Sequence, residues 1–126
     1  MAQSKEATVP NYGILEPSSD TVILNLSIRG VKPAPKLTFF KNSSEAANGD
    51  ILIDFKEKEF RFEFIGRNEL ANKRYRLRLC DLPGDLNTGR CKYKVIKDSV
   101  LIVLKKKDSS RAWLSDISSL DPVDDD

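Results

Sequence analysis

The sequence predicts an all-β domain, an antiparallel sandwich of seven to eight short strands. Three observations carry that prediction. Apolar residues recur with a period of two along most of the chain. Turn residues interrupt that rhythm at short intervals, and no segment sustains the longer period of an amphipathic helix.

The first clear strand is Thr21 to Arg29, in which Val22, Leu24, Leu26 and Ile28 share one face and Ile23, Asn25, Ser27 and Arg29 the other. Gly30, Pro33 and Pro35 stop it. Leu37 to Phe40 is a short apolar run, and Asn42 to Asp50 is rich in turn residues. Ile51 to Phe55 resumes as a strand. In the next, Phe60, Phe62 and Phe64 alternate with Arg61 and Glu63, so three rings project from one face toward the core. Arg74 to Leu79 alternates most cleanly, with Tyr75, Leu77 and Leu79 inward and Arg74, Arg76 and Arg78 outward. Pro83 to Gly89 reads as a loop. Tyr93 to Ile96 and Val100 to Leu104 form a hairpin through the tight connection Lys97, Asp98 and Ser99. Ser109 to Ile117 is a turn or single helical coil that lays Trp113, the only tryptophan, back onto the sheet.

The 126 residues have room for one core. Residues 1–10 and 118–126 read as a disordered arm and a disordered acidic tail, flanking a domain over 11–117. No apolar run is long enough to span a bilayer, and Met1 to Pro10 lacks the apolar core of a secretory signal. Cys80 and Cys91 are not a CxxC pair; a disulfide is possible on paper, but reduced thiols in the cytoplasm, or also the nucleus, are the expectation.

Histidine is absent, which removes the usual base of serine and cysteine nucleophiles and the usual neutral-pH proton carrier. Lysine and carboxylate-pair mechanisms survive that test, but the carboxylates stand among charged and turn residues, as solvated ones do. No phosphate-binding glycine motif and no GxSxG occurs. The reading is therefore no catalytic residue, no metal, no cofactor and no small-molecule substrate. Cys91 lies between Arg90 and Lys92, which would favour a thiolate were the group exposed.

Net charge is only +2, but the positive residues are clustered. Arg74, Arg76 and Arg78 line one strand face, while Lys92, Lys94, Lys97, Lys105, Lys106 and Lys107 lie on the last hairpin. Were those strands neighbours, they would form one basic patch for an acidic protein surface or for phosphates. The plain alternative is a solvated strand face whose lysines discourage edge-to-edge pairing.

The order of these pieces resembles the CS domain family. CKYKVIKDSVLIVLKKKDSSRAWL, from Cys91 to Leu114, is similar to the family's closing hairpin and the tryptophan that follows it. TVILNLSIRGVKP resembles its first long strand, ILIDFKEKEFRFEF a central strand pair, and YRLRLCDLPGDL the next strand and loop. The resemblance implies an alpha-crystallin-like sandwich without enzymatic activity. It also implies a protein partner, either the ninety-kilodalton heat-shock chaperone (heat-shock protein 90) or a ubiquitin-ligase component, bound by a monomer. Tyr12, Lys92, Lys94, Lys105, Lys106 and Trp113 are the candidate contacts. The alternatives are a β-barrel binding single-stranded nucleic acid through the basic hairpin, and an ATP-independent holdase.

Three features depart from the family pattern. Ile14 stands where an aromatic residue is common, and Pro33 to Asp50 looks like an insertion. Ser99 and Leu101 stand where co-chaperone members carry a Lys and a Glu, which puts that docking mode in doubt.

Overall fold

A computed structural model of the protein describes residues 7–34 and 46–123. The apolar run Leu37 to Phe40, and most of the inserted segment, lie outside the described residues.

Among the described residues, seven antiparallel strands form two sheets, with one short α-helix. The strands are β1 (Tyr12–Ser18), β2 (Thr21–Ser27), β3 (Gly49–Lys56), β4 (Glu59–Gly66), β5 (Arg74–Leu79), β6 (Lys92–Ile96) and β7 (Ser99–Lys105), and the helix is α1 (Leu114–Ser118). One sheet has the order β1-β2-β7-β6 and the other β3-β4-β5. The all-β sandwich expected from the two-residue rhythm is therefore the fold. It is not closed into a barrel, because β1, β6, β3 and β5 all remain sheet edges.

The core forms where the two inward faces meet. Val22, Leu24 and Leu26 of β2 and Val100, Ile102 and Leu104 of β7 are fully buried, as are Phe60, Phe62 and Phe64 of β4 and Leu77 and Leu79 of β5. Burial of each such side chain is worth about 1.5–3 kcal/mol. The central strands β2, β7 and β4 thus carry the deepest rows.

Turn chemistry fits the connections. Asp98 in the β6–β7 hairpin adopts a left-handed φ of 63°. Its carboxylate accepts the Gly30 N–H at 2.8 Å and its carbonyl accepts the Ile28 N–H at 3.1 Å, which pins the exit of β2 to the hairpin. Gly30, at φ 93°, supplies the bend there that other residues rarely adopt.

Sequence rhythm does not announce β1. Gly13 and Pro17 break its alternation, and the inward side carries only Tyr12, Ile14 and a charged residue, Glu16. Pro17 is tolerated because β1 is an edge strand and its register slips between Leu15 and Ser18. Within the arm assigned to 1–10, Thr8 pairs with β5: its N–H donates to the Arg74 carbonyl at 2.9 Å and its carbonyl accepts the Arg76 N–H at 3.0 Å. In the tail, Val123 N–H donates to the Arg78 carbonyl at 2.9 Å. The two ends of the described chain therefore lie along one edge of the three-stranded sheet.

Among the described residues no helix is long and apolar enough to cross a membrane. The coil expected around Trp113 is present as α1, and the indole is 2% exposed. It packs so closely on Gly84 that a Cβ there would lie 3.1 Å from the ring, which accounts for glycine in the Pro83–Gly89 loop.

Candidate protein-docking surface

The outward face of the four-stranded sheet follows from its register. Leu15 of β1, Ile23 of β2, Val103 of β7 and Lys92 of β6 form one row across all four strands. Gly13, Asn25, Leu101 and Lys94 form the next, and Thr21 pairs with Lys105 at one end. Leu15 is 62% exposed, while Ile23, Leu101 and Val103 are half-buried. The centre of this face is thus apolar, although it is the side turned away from the core.

Its rim is basic. Lys92 and Lys94 are exposed on β6, and Lys105 Nζ donates to Thr21 Oγ1 at 2.8 Å. Asp20 sits at the Lys105 end, where its carboxylate accepts the Thr21 and Ser18 hydroxyls. Those two bonds, the Thr21 one foremost, hold its pKa below the ordinary value.

The six candidate contacts do not share one surface. Lys92, Lys94 and Lys105 belong to the face just described. Tyr12 points the other way: it pairs with Leu26 on the inward row and packs half-buried against the core. Burial raises its phenol pKa first, with the nearby Asp121 charge adding to the shift.

Lys106 and Trp113 are interior groups rather than surface contacts. The Lys106 side chain has no exposed area, and its Nζ is ion-paired with Glu16 and donates to the Arg111 carbonyl at 2.8 Å. The same ammonium lies 5.5 Å from the centroid of the Trp113 ring, within cation–π range. Glu16 also accepts the backbone N–H of Trp113 at 3.1 Å and of Leu114 at 3.0 Å. The Lys106 bond is the main reason its carboxyl pKa is lowered, with the two backbone donors adding to it. Glu16 therefore ties β1 to the start of α1.

The single basic patch imagined from sequence does not form. The arginines of β5 and the lysines of β6 and β7 lie in different sheets. The arginine row is also neutralised by carboxylates of β4. Arg74 meets Glu63 at 2.6 Å and Arg76 meets it at 3.5 Å, while Arg78 meets Glu59 at 3.2 Å. Cross-strand register sets Glu63 opposite Arg76, whereas Arg78 stands opposite Arg61, a like charge, and reaches diagonally to Glu59.

Both thiols are free, and neither environment favours the thiolate. Cys80 Sγ donates to Glu59 Oε1 at 3.0 Å, which together with burial raises its pKa. Burial is the leading cause that pushes Cys91 up; its Sγ faces the Asn87 carbonyl at 3.4 Å and accepts the Lys105 N–H at 3.3 Å. Among the described residues, no group of three or more acidic or thiol side chains is placed to hold a metal ion.

Leu15, Ile23 and Val103 are surface residues that sequence reasoning missed, and Leu101, noted there only as a departure from the co-chaperone pattern, joins them. A signal for three of them was present. The runs VILNL and VLIVL are apolar at nearly every position, whereas a strand solvated on one face should alternate. No protein-family model matches the chain, and no curated protein sequence matches it significantly.

Proposed function

We propose that the protein is a non-catalytic interaction module of the CS type that docks an acidic protein surface through the outward face of β1-β2-β7-β6. The observation that carries this reading is the composition of that face: an apolar centre of Leu15, Ile23, Leu101 and Val103 bordered by Lys92, Lys94 and Lys105. Apolar area supplies affinity in such an arrangement, and the lysine rim supplies orientation and association rate. The seven-stranded sandwich is the fold that the family resemblance implies, and it supports the reading without naming a partner.

The partner in this proposal is the ninety-kilodalton heat-shock chaperone or a ubiquitin-ligase component, met in the cytoplasm or nucleus. Pairing of the β5 arginines with Glu63 and Glu59 leaves less free positive charge for a nucleic-acid backbone. Ser99 and Leu101 shape the contact as a small hydroxyl and an apolar side chain, so docking here leans on apolar area more than on a Lys–Glu pair.

Titration calorimetry against the isolated N-terminal and middle domains of the chaperone tests the proposal. Binding is expected, and the double variant Lys92→Glu/Lys94→Glu should weaken it about tenfold or more without lowering the thermal midpoint. No heat change at high micromolar concentration removes the chaperone from the proposal. Binding unaffected by the double reversal removes the surface.

A further inference from the structure

One dipeptide at the end of the turn-rich stretch between β2 and β3 has no part in the docking face. Asn48–Gly49 is the only Asn–Gly step in the sequence. Packing fixes both of its residues. Asn48 is 2% exposed, and both ends of its side-chain amide are bonded. Nδ2 donates to the Gly30 carbonyl at 2.9 Å and to Glu69 Oε2 at 3.0 Å, while Oδ1 accepts the Lys32 N–H at 3.1 Å. This amide therefore clasps the exit of β2, in the four-stranded sheet, to the β4–β5 connection of the other sheet. An aspartate has no donor for the two acceptors that meet Nδ2, so the position calls for the amide.

Gly49 is equally constrained. A Cβ at that position would lie 2.2 Å from two atoms of the Phe64 ring, which is fully buried and has no room to move aside. The fold thus demands a glycine directly after this asparagine. That order is chemically labile, because a glycine has no side chain to obstruct attack by its own backbone nitrogen. The Gly49 nitrogen gives its proton to solvent and bonds to Asn48 Cγ. The Cγ–Nδ2 bond breaks, and the amide nitrogen leaves as ammonia with a proton from solvent. Water then opens the resulting cyclic imide at either carbonyl, giving aspartate or isoaspartate. In the native state three hydrogen bonds hold the side-chain amide, and the Asn48 carbonyl accepts the Arg67 N–H at 2.9 Å. The reaction has to wait for this end of the sandwich to open.

We propose that Asn48–Gly49 is a deamidation site which the native clasp protects, so that opening of this end is recorded as an irreversible modification. The modification also prevents the clasp from closing again. Aspartate sets an oxygen against the Gly30 carbonyl and the Glu69 carboxylate, where the amide had donated to both. Isoaspartate adds a backbone carbon just before Gly49 and displaces that glycine from its place against Phe64. Gly30 then keeps only the bond from its N–H to the Asp98 carboxylate, and its tie to the other sheet is lost. The isoaspartyl form carries a free α-carboxylate. That group is the substrate of methyltransferases that esterify isoaspartyl residues with S-adenosylmethionine.

The test ages the whole chain at mildly alkaline pH, native and in urea, with peptide mapping by mass spectrometry and isoaspartate counted by enzymatic methyl transfer. In urea, Asn48 should convert faster than any other asparagine of the chain. In native buffer its conversion should be at least about tenfold slower. Glu69→Ala removes one acceptor from the clasp and leaves the dipeptide untouched. It should speed the native reaction about fivefold and leave the rate in urea unchanged. Asn48→Asp should lower the thermal midpoint by about 5 °C or more. Four results would each overturn the proposal: Asn48 surviving in the unfolded chain, equal rates in buffer and in urea, an unchanged native rate in Glu69→Ala, or an Asn48→Asp chain as stable as wild type. None of these residues lies in β1, β2, β6 or β7, so the docking proposal is judged separately.

Discussion

The two long sides of the sandwich are finished by different chemistry. On the β1–β5 side the chain closes the gap itself: Trp113 is buried over Gly84, Lys106 and Glu16 pair in the interior, and Thr8 and Val123 occupy the β5 edge. On the β3–β6 side, inward apolar residues stop short of full burial and depressions of ≈ 460 and ≈ 430 Å³ remain, against one of ≈ 280 Å³ beside Glu16 and Lys106. An edge that the chain has covered contributes to stability. An edge left uncovered contributes less, because the apolar side chains beneath it keep part of their surface in water. The difference teaches that a buried lysine and tryptophan, which resemble binding residues in a basic aromatic tail, here serve closure.

That comparison breaks most easily at its closed side. Trp113→Ala should cost about 4 kcal/mol, read as a lower urea midpoint, because it empties the space between β1 and β5. Glu16→Gln should cost about 3 kcal/mol, since it leaves the Lys106 ammonium buried without its counter-charge. A loss below 1 kcal/mol in either variant would mean that the tail is an appendage rather than a seal.

Acid sharpens the same point. The Glu16 carboxyl is held below its ordinary value of 4.5 in the folded protein, so folding favours its ionised form. Its contribution is complete above the unfolded pKa and is lost as the pH falls through the lower folded one. The gap in thermal midpoint between wild type and Glu16→Gln should therefore be constant near neutrality and shrink as the pH drops below 4.5. A gap independent of pH would assign the effect to shape rather than charge. Glu69 is expected to persist further into acid, because its own backbone N–H, Asn48 and Lys32 hold it at about 2.

Smaller effects belong to the open side and the outward face. Ile53→Ser should cost about 1 kcal/mol, since that side chain is only partly buried. Lys94→Glu should change stability by less than about 0.5 kcal/mol, visible only in binding. An open-side substitution as costly as Trp113→Ala would erase the distinction.

Much of the fold was legible because buried strands write their pattern locally. The Phe60, Phe62 and Phe64 row, the Val22 to Ile28 row and the Arg74 to Leu79 strand lie where alternation puts them, and Asp98 sits in the tight turn expected of it. β1 was not legible, because an edge strand buries few residues and tolerates Gly13 and Pro17. The candidate surface was half legible. Lys92, Lys94 and Lys105 were identified by charge, but Tyr12 faces inward, and Lys106 and Trp113 are consumed by the core. Charge along a strand indicates which residues are basic, not which carboxylates will lie across from them; the arginines of β5 meet Glu63 and Glu59 only once β4 is placed beside them.

The amino-acid order alone determined the strands and the faces they bury, because a period of two is a property of consecutive residues. Tertiary structure decided which strands became neighbours, and therefore which charges were paired, which lysine was buried and, among the described residues, how each sheet edge is finished. Those outcomes depend on residues far apart in the chain, such as Glu16 with Lys106 and Ile53 with Tyr93. No local pattern records such a pairing, since its free energy exists only when both layers are in place.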